Sequence, residues 1–309
     1  MDRRIFLSAT AALATLGASA SVAQPVQPRL FGAALRRLGA TTVCFRKTFG
    51  MVAMGANPAN SADFLTAPKF LKDNLGLSNI EVWNLQFPEQ SEDYCRKFRQ
   101  QADASGSKVI NIQLDGDYDL SSTDGPRRSS SVDWVKAWMD RAVALGAPSV
   151  RANIDMGRPN APLNLETATQ SFRQLADYGR SKGVKILVEN HIGASTKVDN
   201  CVSLLRAVNN PFCRAIVDWG NSSADTEAGR IADLAKLFPF ADLVSAKGLH
   251  FDANYKHREY AFAPIARAME AAGYKGIYSV ELYAEPDPPA DPTAACRAVL
   301  AEIAPELKG

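Results

Sequence analysis

The sequence predicts a single (β/α)8 barrel, on three observations. Short runs rich in Val and Ile alternate with longer stretches of helical periodicity, the pattern of βαβ units around a parallel sheet. Eight such pairs fit between residues 30 and 305, and no charge block, low-complexity tract or linker divides them. Polar residues recur at the ends of the later strands at close to the length of one βα unit. The alternative, an open doubly wound sheet, normally carries a glycine-rich phosphate turn after its first strand, and "CFRKTFGMVAMGAN" does not fit G-x-G-x-x-G with a following helix.

Taken in order, the strand candidates of the first half are "TTVCFRK" (41–47), "IEVWNLQF" (80–87), "KVINIQLD" (108–115) and "SVRANID" (149–155). Those of the second half are "VKILVEN" (184–190), "CRAIVDWG" (213–220), "ADLVSAK" (241–247) and "IYSVELY" (277–283). The segments between them read as amphipathic helices. In "DWVKAWMDRAVALG", Val135, Trp138, Met139, Ala142, Val143 and Leu145 recur at helical spacing and Gly146 supplies the terminator. Gly273 closes the helix before the last strand, and Gly276 introduces that strand. The Pro-rich "EPDPPADP" (285–292) reads as a loop leading into a terminal helix, Thr293 to Ala304. Trp134 and Trp138 read as core or rim packing.

Composition bounds the function. The 309 residues are 46% hydrophobic and 22% charged, enough apolar material for one large core. A formal net charge of +2 gives no basis for a nucleic-acid or anionic-membrane partner. Phosphodiester cleavage at a metal cluster would need a basic face and more than the three histidines present. The N-terminal "MDRRIFLSATAALATLGASASVAQ" sets Arg3 and Arg4 before a short apolar, Ala-rich run ending in small residues. It reads as a cleavable signal peptide over residues 1–23, with "RRIFL" resembling a twin-arginine export signal. The expected address is therefore periplasmic or secreted, with no stable membrane anchor after cleavage. The five cysteines, Cys44, Cys95, Cys201, Cys213 and Cys296, are odd in number and irregular in spacing, so they read as small core fillers. Cys201 with Cys213 is the best candidate for a bridge.

In such a barrel the C-terminal strand ends carry chemistry and the opposite ends carry stability. Those ends hold Gln113 and Asp115, Arg151 and Asn153, Glu189, Asn190 and His191, Asp218 and Asn221, Lys247 with His250 shortly after, and Glu281. The separations are 29 residues from Glu189 to Asp218, 29 from Asp218 to Lys247 and 34 from Lys247 to Glu281. A barrel of this kind averages roughly 31 residues per βα unit. The polar residues therefore share one mouth. Three carboxylates facing one mouth repel one another unless a cation or protons intervene. Taken singly, Glu189 or Glu281 would pair structurally with Arg151, and Lys247 would only offset acidic charge.

The motifs "LVENHIG", "VDWGN", "VSAKGLHFD" and "GYKGIYSVELY" resemble the strand-five to strand-eight signatures of the xylose isomerase-like barrels, the sugar phosphate isomerase/epimerase and endonuclease IV-like superfamily. The resemblance spans nearly the whole chain beyond the signal. It implies a divalent metal held by Glu189, Asp218 and Glu281, together with a histidine near strand seven. Many members carry that histidine two residues before the strand-seven lysine, where this chain has Ser245. The nitrogen ligand is then His250 or His191, or water fills the position; the other reading of His191 is a residue that orients Glu189.

Hard oxygen ligands with at most one imidazole favour Mn2+ or Mg2+, with Zn2+ and Co2+ compatible. By the resemblance, the metal chelates adjacent carbonyl and hydroxyl oxygens of a sugar and stabilises an enediolate while a carboxylate moves the neighbouring proton. The expected roles follow. Glu189 and Glu281 act as ligands and as base or acid, Asp218 anchors the metal, Lys247 or His250 steadies the oxyanion, and Arg151, Asn153, His191, Asn221 and Gln113 bind substrate. Epimerase, isomerase, and lyase or dehydratase are three exits from one half-reaction. Export favours a free sugar, keto-sugar or glycoside over a phosphorylated one. A non-catalytic exported sugar-binding barrel, suggested by Ser245, is the rival reading.

Overall fold

The computed structural model describes residues 32–52, 55, 60–157, 160–283 and 289–308; residues 1–23, expected to be a signal segment, and residues 285–288 of the Pro-rich loop lie outside them. Eight parallel strands close into a barrel in chain order. They are β1 (Leu38–Thr41), β2 (Asn79–Trp83), β3 (Lys108–Leu114), β4 (Ser149–Ala152), β5 (Lys185–Glu189), β6 (Cys213–Asp218), β7 (Ala241–Gly248) and β8 (Ile277–Leu282). The helices are α1 (Gly32–Leu35), α2 (Arg46–Phe49), α3 (Ala67–Leu75), α4 (Glu92–Ala104), α5 (Gly125–Leu145), α6 (Leu165–Lys182), α7 (Val198–Val208), α8 (Glu227–Ala235), α9 (Phe262–Ala271) and α10 (Pro292–Ile303). From α3 onward they supply the outer ring. Among the described residues no helix is long and apolar enough to cross a membrane.

The first strand is the one misplaced element. "TTVCFRK" has the β-branched composition of a strand, yet the Val43 amide donates to Thr41 Oγ1 and residues Thr42–Phe45 coil into a 3-10 turn, followed by α2. The true strand is the preceding "LGAT", where tight packing rather than propensity decides. Gly39 lies so close to β2 that a Cβ there would meet the Asn79 carbonyl oxygen at 3.0 Å. The second, fourth and sixth strands end two to four residues before their expected limits, in a 3-10 turn or in loops. Gly146 and Gly273, with φ of 79° and 87°, follow their helices as expected.

Side chains alternate across a strand, so every second residue points into the barrel. Leu187, Ile216 and Leu243, with Ile110 and the adjoining Ile277, form an apolar plug separate from the main core between sheet and helices. Continuing along the same faces brings Glu189 after Leu187, Asp218 after Ile216, Ser245 and Lys247 after Leu243, and Ser279 and Glu281 after Ile277. The plug is therefore the floor on which the polar layer stands. All five cysteines are buried and free, so none bridges, Cys201 and Cys213 included. Trp138 is fully buried, and Trp134 stacks on Tyr118 with ring centroids 5.2 Å apart.

Candidate metal centre

Glu189 and Asp218 are the last residues of β5 and β6, and Glu281 is next to last in β8. Each offers one carboxylate oxygen to a cluster whose three atoms lie within 4.8 Å of one another, and all three residues are buried. It is the one group of its kind among the described residues.

Two of the acids are oriented by their neighbours. Asp218 Oδ1 accepts from the amides of Gly220 at 2.8 Å and Asn221 at 2.9 Å, which leaves Oδ2 free of hydrogen bonds. The side chain of Asn190 grips the Asp218 backbone, donating to its carbonyl at 2.8 Å and accepting from its amide at 2.9 Å. This answers why strand five ends in Glu-Asn-His: Glu189 faces the centre, while Asn190 fastens the next strand beside it. Glu281 Oε2 accepts from Gln113 Nε2 at 2.7 Å and from Ser245 Oγ at 3.4 Å; Gln113 is turned that way because its Oε1 accepts from Thr41 Oγ1 at 2.9 Å.

Two cations face the acids. Arg151, at 4% side-chain exposure, donates from Nη1 to Asp115 Oδ1 at 2.8 Å and to the Leu114 carbonyl at 3.0 Å. Its Nε lies 2.9 Å from Glu189 Oε2, but the N–H points away from a true hydrogen bond, and both Glu189 oxygens have no donor. Lys247 Nζ lies 2.9 Å from Glu281 Oε1 and 3.6 Å from Asp218 Oδ2.

Charge follows burial. Glu189 is pushed well above the ordinary carboxylate range by burial, opposed by Arg151 and reinforced by Asp218 and Glu281. Burial also raises Asp218, against the pull of Lys247. Burial works the same way on Glu281, but Lys247 outweighs it and holds Glu281 below its usual value. His191 is lowered to about 3 by burial and by Lys247 and Arg151, so its imidazole is neutral at physiological pH. Its Nδ1 accepts from Asn153 Nδ2 at 3.2 Å.

Above this layer opens a cavity of ≈ 240 Å3, walled in part by Trp83, Gln113, Asp115, Arg151, His191, Lys247, Glu281 and Tyr283. Of the three clustered acids, Glu281 lines it, whereas Glu189 and Asp218 lie beneath. The structure thus brings together Glu189, Asp218, Glu281, Lys247, Arg151 and Gln113, with His191 in the cavity wall and Asn153 buried behind it. Asn221 contributes its backbone to Asp218, and its buried side-chain nitrogen has no partner.

It does not bring His250, expected as metal ligand and oxyanion partner. The chain after β7 turns outward through a bridge between Phe251 and His257, and the half-exposed His250 ring is held by Glu259 at 2.5 Å. His191, the other expected nitrogen ligand, is not part of the cluster either, which among the described residues consists of the three acids alone. Trp83, Thr41 and Tyr283 were missed. Trp83 Nε1 donates to Asp115 Oδ2 at 2.7 Å, and Tyr283 is 41% exposed at the mouth. Counting inward positions by twos back from the end of strand two would have found Trp83, whereas Thr41 was hidden because the expected first strand began there rather than ending there.

The family model for the xylose isomerase-like TIM barrel matches residues 71–303. The chain belongs to that family. Solved structures share its architecture at low identity. An L-ribulose 3-epimerase superposes with a TM-score of 0.70 at 15% identity, over 86% of this chain and 93% of that one. A 3-keto-D-glucoside 4-epimerase from E. coli gives 0.64 at 13%, over 86% and 98%. A xylose isomerase-like TIM barrel protein from Mycobacterium smegmatis, in complex with magnesium, gives 0.65 at 18%, over 87% and 95%. No curated protein matches the sequence.

The donor set fits a hard divalent ion. Three carboxylates within one ion's reach, and buried Glu189 and Asp218 oxygens that no donor satisfies, are what such an ion would complete.

Proposed function

We propose that this barrel is a divalent-cation-dependent sugar isomerase or epimerase that moves a proton next to a carbonyl through an enediolate. The carrying observation is the buried Glu189–Asp218–Glu281 cluster beneath a small polar cavity. The epimerase activities of the L-ribulose and 3-keto-D-glucoside neighbours, and the magnesium of the mycobacterial one, support the reading. Mn2+ or Mg2+ suits the oxygen donors best, with Zn2+ or Co2+ as lesser fits.

Glu189, Asp218 and Glu281 would hold the ion, which supplies Lewis-acid polarisation of a carbonyl and its neighbouring hydroxyl. Glu281 reaches the cavity and is the carboxylate placed to take or return the proton beside that carbonyl. Gln113 fixes the carboxylate's rotation. Lys247, which borders the cavity, would steady the negative charge that develops on the substrate oxygen. Asp115, anchored by Arg151 and Trp83, and the neutral His191, steadied by Asn153, present acceptor and donor groups to hydroxyls. The substrate is a free sugar or keto-sugar, consistent with export; we read residues 1–23 as a twin-arginine leader and the mature barrel as periplasmic or secreted.

Divalent ion should copurify with the protein at close to one equivalent, and Glu189→Gln should lose it. The loaded enzyme should then exchange solvent deuterium into at least one member of a panel of ketoses and 3-keto-sugars. Absence of ion in wild type, or content unchanged by Glu189→Gln, defeats the catalytic reading. Ser245, standing where an imidazole was expected, favours one second reading, a sugar-binding barrel without catalysis; bound ion and bound sugar with no exchange would establish it. For export, Arg3→Lys with Arg4→Lys should strand the protein in the cytoplasm, and undiminished periplasmic recovery defeats the leader assignment.

A further inference from the structure

The Lys247 ammonium stands among the same carboxylates that would hold the ion, 2.9 Å from Glu281 and 3.6 Å from Asp218. The Asp218 oxygen it approaches has no hydrogen-bond partner. Its stem is seated on purpose-made space: a Cβ at Gly220 would meet Cβ, Cγ and Cδ of Lys247 at 3.0 to 3.1 Å, so glycine there lets the chain cross the β6 turn into the cluster. The residue is 4% exposed, and two positive charges a few ångströms apart in so dry a place repel strongly. Lys247 also borders the cavity, so its flexible stem can swing the ammonium from the cluster into that space.

Resting on the metal-dependent reading above, we propose that Lys247 is a tethered cation that fills the carboxylate cluster in the metal-free chain and is displaced into the cavity when a divalent ion enters. Loading of the ion and delivery of the ammonium to the substrate cavity are then one event. The lysine balances the acids before loading, weakens ion binding by competition, and faces substrate only in the loaded protein. Ser245 adds to the effect, because a hydroxyl bonded to Glu281 gives the ion no nitrogen with which to outbid the lysine.

The test compares Mn2+ binding by calorimetry in wild type, Lys247→Met and Glu189→Gln, together with thermal midpoints with and without Mn2+. Lys247→Met should bind Mn2+ at least tenfold more tightly, melt lower without it and gain more from it. Lys247→Gln, which keeps a polar head without the charge, should shift the same way and serves if Lys247→Met does not fold. In wild type, amine labelling read by mass spectrometry should show Lys247 shielded without Mn2+ and modified once it is saturating. Equal or weaker Mn2+ binding by both variants, or labelling unchanged by Mn2+, overturns the displacement while leaving the ion site standing. If neither wild type nor the variants bind Mn2+ in a manner sensitive to Glu189→Gln, the metal-dependent reading has failed and the displacement with it.

Discussion

At the residue scale, polar satisfaction decides which side chains are chemical and which are structural. Asn190 is buried beside Glu189 but turns away from it to take both backbone groups of Asp218. Asn190→Ala should cost about 1–3 kcal/mol, since the Asp218 amide and carbonyl lose their partner where water cannot replace it. Mn2+ binding should weaken as well, because Asp218 is no longer held beside Glu189; denaturant unfolding and calorimetry measure the two effects. Most of the centre was legible because strand-end residues of a barrel must converge, whatever their identity: Glu189, Asp218, Lys247, Glu281, Arg151 and Gln113 all followed from position. His250 was not legible. Its placement depends on a loop whose course is set by the Phe251–His257 bridge and by Glu259, contacts that no strand periodicity encodes.

At the scale of elements, the later strands announced themselves through Val- and Ile-rich runs, whereas β1 was hidden by its own composition. "LGAT" is a poor strand by propensity and survives because Gly39 permits close approach to Asn79. Gly39→Val therefore tests packing against propensity. Valine prefers strands by a fraction of about 1 kcal/mol, while overpacking against a backbone oxygen costs typically about 1–3 kcal/mol. The variant should be destabilised, with a thermal midpoint lower by several degrees. The fourth strand's end is overrun by the sequence pattern because the in-out alternation continues past the last ladder bond through Asn153, which obeys the period without belonging to the sheet.

At the scale of the whole molecule, the barrel is clasped at the face opposite the mouth. Arg37, just before β1, donates from Nη1 and Nη2 to Glu270 of α9 at 2.9 and 2.6 Å, and also to the carbonyls of Tyr274, Gly276 and Lys308. Glu270, with its side chain 1% exposed, also accepts from Tyr278 and from the Lys308 amide. Burial disfavours its ionised form, but Arg37 and these donors outweigh burial and hold the carboxylate below its ordinary value. The sign follows: the folded chain binds fewer protons here than the unfolded chain, so the stabilisation is full above the ordinary carboxylate value and fades as pH falls toward the lower folded one. Glu270→Gln should lose about 3–5 kcal/mol at neutral pH by stranding Arg37. The gap between variant and wild-type thermal midpoints should narrow below about pH 4, and a gap independent of pH would contradict the clasp.

Because Arg37 reaches the carbonyl of Lys308, residues far apart in sequence are neighbours on the side turned away from the cavity. A short peptide splicing position 308 back to position 37 would make the backbone a ring, and new termini cut into one of the outer loops should still yield the same barrel. Attached to a bead or an electrode through residues near 308, the protein would present its opening to solution.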